Sequence, residues 1–506
     1  MVSILVAVTI LLTVYLIYNF VNGKPPNSPP GLPRLPIWGS YWFLLWGDYY
    51  FPYKAISYYV KKYQSKIIGL YLGDNYTIVV NDYFGIKEVL RRQEFDGRVG
   101  EIHLAKARAF GQKLGIFFND DTEWLTQRRF ALRYLRDFGF GRRHEKFESV
   151  VAHEVHVLMD ILKKGPSGDL EKTIANNSLA LFPDVLYASC SNPIWFVMTG
   201  EMYDRQDYET LRKVCRKAML FQRNADTAGG AITLTSWLRH FGNGFGFKRI
   251  MEGNYAMVDF IKNFVNKRKK SSHMEENEPE GFIDVYLNKL KQLEGKDGFS
   301  EKQLLIVCVD VIFPALSAVP SMLTHIIKLM MHHPEVMKKV QNEIDNVVGR
   351  DCLPELNDRH KLPYTEATIR EALRMETLTP WSVFHRTTEA TTLMGYDIPN
   401  NTVVITNLSH MHNDPEFWGD PENFRPERFL TEDGKALAKD YTFAFGLGRR
   451  VCAGETFARF LLFSHFAAFA QNFNFEFVEH QPTSLKDVLP GLITTPKETW
   501  IRVVSR

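Results

Sequence analysis

Cys452 is the residue in this chain best placed to do chemistry. It lies in the run Ala444-Phe445-Gly446-Leu447-Gly448-Arg449-Arg450-Val451-Cys452-Ala453-Gly454. The segment that follows, Glu455 to Asn472, is long, largely apolar and free of Pro and Gly, so it predicts a helix. The sulfur then sits just ahead of a helix start, where free N–H groups and the positive end of the dipole favour a thiolate. Arg449 and Arg450 add positive charge. A thiolate held this way is a nucleophile or a metal ligand. Gly446 and Gly448 let the backbone turn tightly and come close to a flat partner. A lone cysteine in 506 residues is ordinarily a small buried hydrophobe, so the weight rests on the spacing around it.

Three further groups have chemically useful spacing. Trp124 and Arg128 are four apart in a basic amphipathic stretch, 124–143, that predicts a helix and its exit turn, so an indole N–H and a guanidinium share one face. That pair suits a carboxylate. Glu371 and Arg374 are three apart in a predicted helix over 364–376 and are neighbours on it. An apolar, helix-length stretch over 303–331 is broken by Pro314 and Pro320, each of which removes an N–H and costs about 3 kcal/mol in a helix interior.

The full spacing Phe445-x-x-Gly448-x-Arg450-x-Cys452-x-Gly454 resembles the cysteine-ligand loop of the cytochrome P-450 family, the haem-thiolate monooxygenases. The resemblance covers residues 25–506 and looks like an insect microsomal member of the drug- and steroid-handling clan. It implies a mainly α fold with small β-sheets and a buried haem. It implies that Cys452 is the axial ligand of haem b, and that its electron donation favours O–O cleavage. Phe445 then shields the sulfur, and Arg450, Trp124 and Arg128 bind haem propionates. Arg98, in Phe95-Asp96-Gly97-Arg98, and His385 resemble further propionate contacts. Glu371 and Arg374 match the family's E-x-x-R, with Arg428 of Pro426-Glu427-Arg428-Phe429 as third member. Their implied role is to fix the loop that presents Cys452.

One motif departs. The family's A-G-x-(E/D)-T-T falls on Pro314 to Val319, so the acid is Ser317 and the threonine is Ala318. These are the oxygen-activation positions, and their replacement motivates alternatives to ordinary hydroxylation: oxime formation by N-hydroxylation of an amino acid, a dehydratase, an isomerase, or a non-catalytic haem carrier. The implied cavity walls are Ile116, Phe117, Phe313, Val383, Leu492 and Ile493, mostly apolar, which suits a small lipophilic or aromatic substrate.

The positioning elements follow. Two β-branched runs over 66–82, split by Gly73-Asp74-Asn75, predict a hairpin. Residues 381–407 read as strands. Lys267 to Gly281 reads as a solvated loop. Val2 to Asn22 carries no charge, long enough for a single transmembrane helix. This gives an anchor over 1–23, a Pro-rich hinge over 24–36 and a catalytic domain over 37–506. Lys24 and Arg34 follow the anchor, which puts the catalytic domain on the cytosolic side, and the resemblance to microsomal members implies the endoplasmic reticulum membrane. The formal net charge of +3 is too mild to imply nucleic acid. Five cysteines, odd in number and widely spaced, argue against a disulfide framework and a zinc site and fit a reducing compartment. The resemblance implies NADPH–cytochrome P-450 reductase as electron donor, with cytochrome b5 as a second. Arg129, Arg133, Arg136, Arg142 and Arg143 offer a positive face to such a partner.

Overall fold

The computed structural model describes residues 2–99, 103–120, 122–166, 168–176, 178–204, 207–224, 235–241, 246–270, 278–293 and 298–506. Helices dominate the described residues, with a five-stranded sheet, a four-stranded sheet and two two-stranded ones beside them. The element at the centre is the helix Glu301–His332, capped by Ser300, whose hydroxyl accepts the Gln303 N–H at 3.1 Å. It touches the helices Tyr187–Thr199, Phe247–Lys270, Glu455–Asn472 and Pro363–Met375.

The helix is not broken at its prolines. It runs through Pro314 and Pro320 for 32 residues. Pro314 and Pro320 still deprive the carbonyls of Asp310 and Leu316 of their N–H partners. Of its 32 residues 24 are buried, and packing of this extent outweighs local propensity. It is long and apolar enough to cross a bilayer, yet 78% of its most apolar window is buried, which marks a core helix.

The predicted hairpin forms, Ile67–Leu72 against Asn75–Val80. It starts a five-stranded sheet that continues through Val403–Thr406, His385–Arg386 and Gly97–Arg98. Asn75–Val80 and Val403–Thr406 pair in parallel, while Arg98 faces His385 across an antiparallel pair. A four-stranded sheet, order Phe473–Phe477, Thr499–Ser505, Leu179–Phe182, Ala175–Asn176, ties the C-terminus to the middle of the chain. The segment expected as a loop over 267–281 differs: the preceding helix continues to Lys270, carried by buried Val265 and Arg268, and 271–277 lie outside the described residues.

Val2–Asn22 is a helix, and its apolar side chains from Val6 onward are exposed. The Pro-rich segment after it is docked rather than free. Leu32 is buried, its N–H donates to Gly69 O at 3.2 Å, and Gly69 N–H donates to Pro30 O at 2.9 Å. A Cβ on Gly31 would run into the Gly69 carbonyl.

Two core histidines are held neutral. His465 Nδ1 donates to Leu461 O at 2.8 Å and its Nε2 accepts from Ser189 Oγ at 2.6 Å. His412 Nε2 donates to Thr442 O at 2.7 Å. Burial pushes both down to about 4. The unfolded chain binds a proton on each below about pH 6.5, whereas the fold does not until about pH 4. Stability therefore falls as the pH drops through this window, by about 1.4 kcal/mol per pH unit per histidine. Urea unfolding between pH 6.5 and 5 should show this slope, and His465→Gln should reduce it by close to one proton; an unchanged slope would count against the neutral buried ring.

Candidate functional site

The Cys452 loop is shaped by its glycines. Gly446 and Gly448 both have positive φ, 74° and 71°. A Cβ on Gly448 would strike the Leu90 carbonyl, so only glycine fits there. The Cys452 N–H donates to Phe445 O at 2.8 Å and closes the loop. The predicted helix begins at Glu455 and ends at Asn472. Arg459, on its second turn, lies over the Phe445 ring at 4.7 Å and binds Asp440 at 2.5 Å.

One stripe of the central helix is less buried than its surroundings: Asp310, Phe313, Pro314 and Ala318. Cys452 itself is accessible, yet it lies deep in the body, and burial pushes its thiol up. The Gly454 N–H and Arg128 pull the other way without prevailing. Arg449 is paired with Asp96 at 3.1 Å, and Arg450 points at Asp96 O and Asn119 O. A coordinated metal ion deprotonates a thiol outright.

The structure gathers the predicted propionate residues in one place. Arg98 is buried and donates to Val383 O and Phe384 O, both at 3.0 Å. Arg128 donates to Val451 O at 2.5 Å. The Arg450 guanidinium lies 3.4 Å over the Trp124 ring. Trp124 Nε1 is directed elsewhere and donates to Ile116 O at 2.9 Å. His385 Nδ1 donates to Phe95 O at 2.8 Å, and burial, then Arg98, hold the ring neutral. It can donate from Nε2 to a carboxylate only after taking up a proton, which an incoming anion favours.

These cations fit a dianionic cofactor. Burial and neighbouring arginines push Arg98 down to about 10 and Arg450 down to about 8. A guanidinium does not surrender its proton, so the cost is relieved by bringing an anion in. Nearby carboxylates are already engaged: Asp120 holds Arg386 at 2.5 Å and the Arg98 N–H at 2.8 Å. The buried Nε of Arg98 has no partner. A haem, with two propionates, suits this donor set, and Arg98, Arg128 and Arg450 would hold it.

Behind the loop, Glu371 is fully buried. Arg374 binds it through two bonds of 2.8 Å, Arg428 Nε adds one of 3.2 Å, and the Arg425 N–H one of 3.0 Å. Arg374 also donates to His412 O, and Arg428 to Trp418 O.

The predicted cavity residues are partly brought together. Phe313 and Leu492 join one apolar cluster with Leu104, Phe221 and Ile250. Ile116 and Phe117 sit on a loop whose N–H groups bind Asp310 Oδ2 at 2.7 and 3.0 Å. Ile493 is buried, and Val383 contributes its carbonyl to Arg98. Ser317 is buried, while Ala318 lies half-buried on the stripe. Sequence reasoning passed over Arg108, which pairs with Asp310 at 2.5 Å across 202 positions, and Gln222, which donates to Ser317 at 2.5 Å. Neither lies in a local motif.

The comparisons agree with this geometry. The Cytochrome P450 family matches residues 29–503. Farnesoate epoxidase of Bombyx mori is 30% identical over 475 residues, 93% of this chain and 92% of that protein. Probable cytochrome P450 305a1 of Drosophila melanogaster is 28% identical over the whole of both chains. Cytochrome P450 2L1 of Panulirus argus is 30% identical over 90% of each. A cationic cradle beside an accessible cysteine suits an anionic cofactor, and this chain belongs to the cytochrome P450 family. It is an oxidoreductase of the monooxygenase type.

Arg428→Met would leave Glu371 with one guanidinium in a buried site. Removing one partner of such a cluster costs about 3 kcal/mol or more. A loss below about 1 kcal/mol in urea unfolding would show that Arg374 alone satisfies the carboxylate.

Proposed function

We propose that this protein is a reductase-dependent haem-thiolate monooxygenase that oxidises a small hydrophobic or aromatic substrate, of hormone, pheromone-metabolite or xenobiotic type. One observation carries the reading: an accessible cysteine on a glycine-shaped loop, flanked by the buried guanidinium of Arg98, whose Nε has no partner, and by the half-buried Arg128 and Arg450.

Cys452 is the proposed axial ligand. Haem b, when bound, supplies the oxygen-activating chemistry, with the thiolate favouring O–O cleavage. The chain's own residues do the rest. Arg98, Arg128 and Arg450 neutralise the cofactor's carboxylates and fix its plane. Phe445, pressed by Arg459, keeps water from the sulfur. Phe313 and Leu492, with Phe221, give the substrate an apolar wall. Ser317 cannot give up its hydroxyl proton freely, since it donates to Phe313 O at 2.9 Å.

Electrons come from NADPH through the reductase, with cytochrome b5 as a second donor. Arg129, Arg133 and Arg136 are exposed on the 122–137 helix and suit an acidic docking face. The exposed apolar helix Val2–Asn22 supports a membrane anchor over 1–23, and the docked Pro-rich hinge over 24–36 would fix the tilt of the 37–506 domain. The relatives of microsomal type support an endoplasmic reticulum location with a cytosolic domain.

Cys452→Ala should abolish the thiolate band of the reduced-CO spectrum; an unchanged band would remove Cys452 as the ligand. The functional test is reductase-supported turnover with product mass spectrometry. An isoprenoid acid belongs in the panel because of the Bombyx mori relative's name, beside steroids and amino acids. Peroxide or oxime turnover that needs no NADPH would sink the monooxygenase reading.

A further inference from the structure

Three consecutive residues at the end of the helix Tyr208–Asn224 close over Ser317. Phe221 meets Phe313 edge-on, with ring centroids 5.0 Å apart. Arg223 lies 3.6 Å from Glu498. Between them, Gln222 binds two separate parts of the chain. Its backbone oxygen accepts the Leu492 N–H at 2.9 Å, and its Nε2 donates to Ser317 Oγ at 2.5 Å.

Ser317 donates its hydroxyl hydrogen to Phe313 O at 2.9 Å and accepts from Gln222 Nε2. In that arrangement Oε1 faces away from Ser317. Gln222 is only 2% exposed, and its Oε1 has no partner. Its neighbours Phe221 and Leu492 belong to the apolar cluster that includes Phe313, Leu104 and Ile250. A buried carboxamide oxygen without a donor is rare in a folded protein and costs stability.

We propose that Gln222 determines substrate specificity: its Oε1 accepts a hydrogen bond from a hydroxyl or N–H on an otherwise apolar substrate. The inference rests on the monooxygenase reading above. The substrate class it names is a lipophilic alcohol or amide. The corresponding ether or ester leaves Oε1 unpaired, and an ionised acid presents a second acceptor to it.

The test uses haem-loaded full-length protein and 1-alkylimidazoles of graded chain length, each carrying a terminal hydroxyl or a terminal methoxy group. Imidazole ligation of the iron gives both members of a pair a common optical signal, and the chain carries the probe group toward the roof. At the chain length that reaches Gln222, the hydroxyl compound should bind about tenfold more tightly than its methoxy partner. Gln222→Met should reduce the ratio to near one, and Gln222→Glu, which keeps an acceptor oxygen in the same place, should retain it. Gln222→Leu is the second apolar variant, and the reduced-CO band confirms the fold of each. Equal affinities at every chain length, or a hydroxyl preference that survives in both apolar variants, would overturn the proposal. So would variants that lose coupling of NADPH use to product while keeping the preference, because Oε1 would then be holding a water. A wild-type protein that takes up no haem defeats the monooxygenase reading; a haem-loaded protein without hydroxyl preference defeats this inference alone.

Discussion

The structure depends on one buried carboxylate. Glu371 receives two bonds from Arg374, one from Arg428 and one from the Arg425 N–H, in a place with no access to water. Taking charges out of water is expensive, and only full pairing with good geometry offsets it. The cluster therefore permits one arrangement of the chain around it. Arg374 reaches His412 O, and the His412 ring reaches Thr442 O. Thr442 binds Asp440, and Asp440 binds Arg459, which lies over Phe445. From Glu371 to the ring beside Cys452, each link is a charged group or a hydrogen bond with a defined direction. This is how a loop without regular structure can hold a sulfur in one position.

The other side of the site is arranged in the opposite sense. Around Glu371 charge is satisfied, whereas around Trp124 it is not. Arg98, Arg128 and Arg450 are each depressed by burial, and Arg98 and Arg450 also repel one another. Such a cluster costs stability until an anion enters, so cofactor binding returns free energy that folding alone does not have. One face of the loop is finished by the fold and the other by the ligand.

What the sequence made legible follows from range. The Glu371–Arg374 pair, the Trp124–Arg128 face, the hairpin after Ser65 and the helix after Cys452 are set by neighbours within a few residues, and they appear where their spacing puts them. The cationic cradle was legible only through family resemblance, because nothing local says that Arg98 and Arg450 meet. One expectation failed for lack of information about depth. The central helix was expected to break at its prolines, but burial of most of its length carries it through. Arg108–Asp310 and Gln222–Ser317 join residues 202 and 95 positions apart and could not be read from a single chain.

The middle of the central helix shows what becomes of polarity when side chains give it up. The family resemblance puts Ser317 and Ala318 at the positions of an acid and a threonine, and the Ala318 side chain offers no hydrogen bond. The prolines compensate in kind, since each leaves a backbone carbonyl, of Asp310 and of Leu316, without its helical donor. Ser317 turns its hydrogen back to Phe313 O and takes one from Gln222. The Gln222 amide oxygen is left without a donor, and the hydroxyl of Ser321, one turn further along the helix, without a partner. Polarity over this stretch is thus carried by a neighbouring helix and by the backbone rather than by an acid and a threonine of the central helix itself.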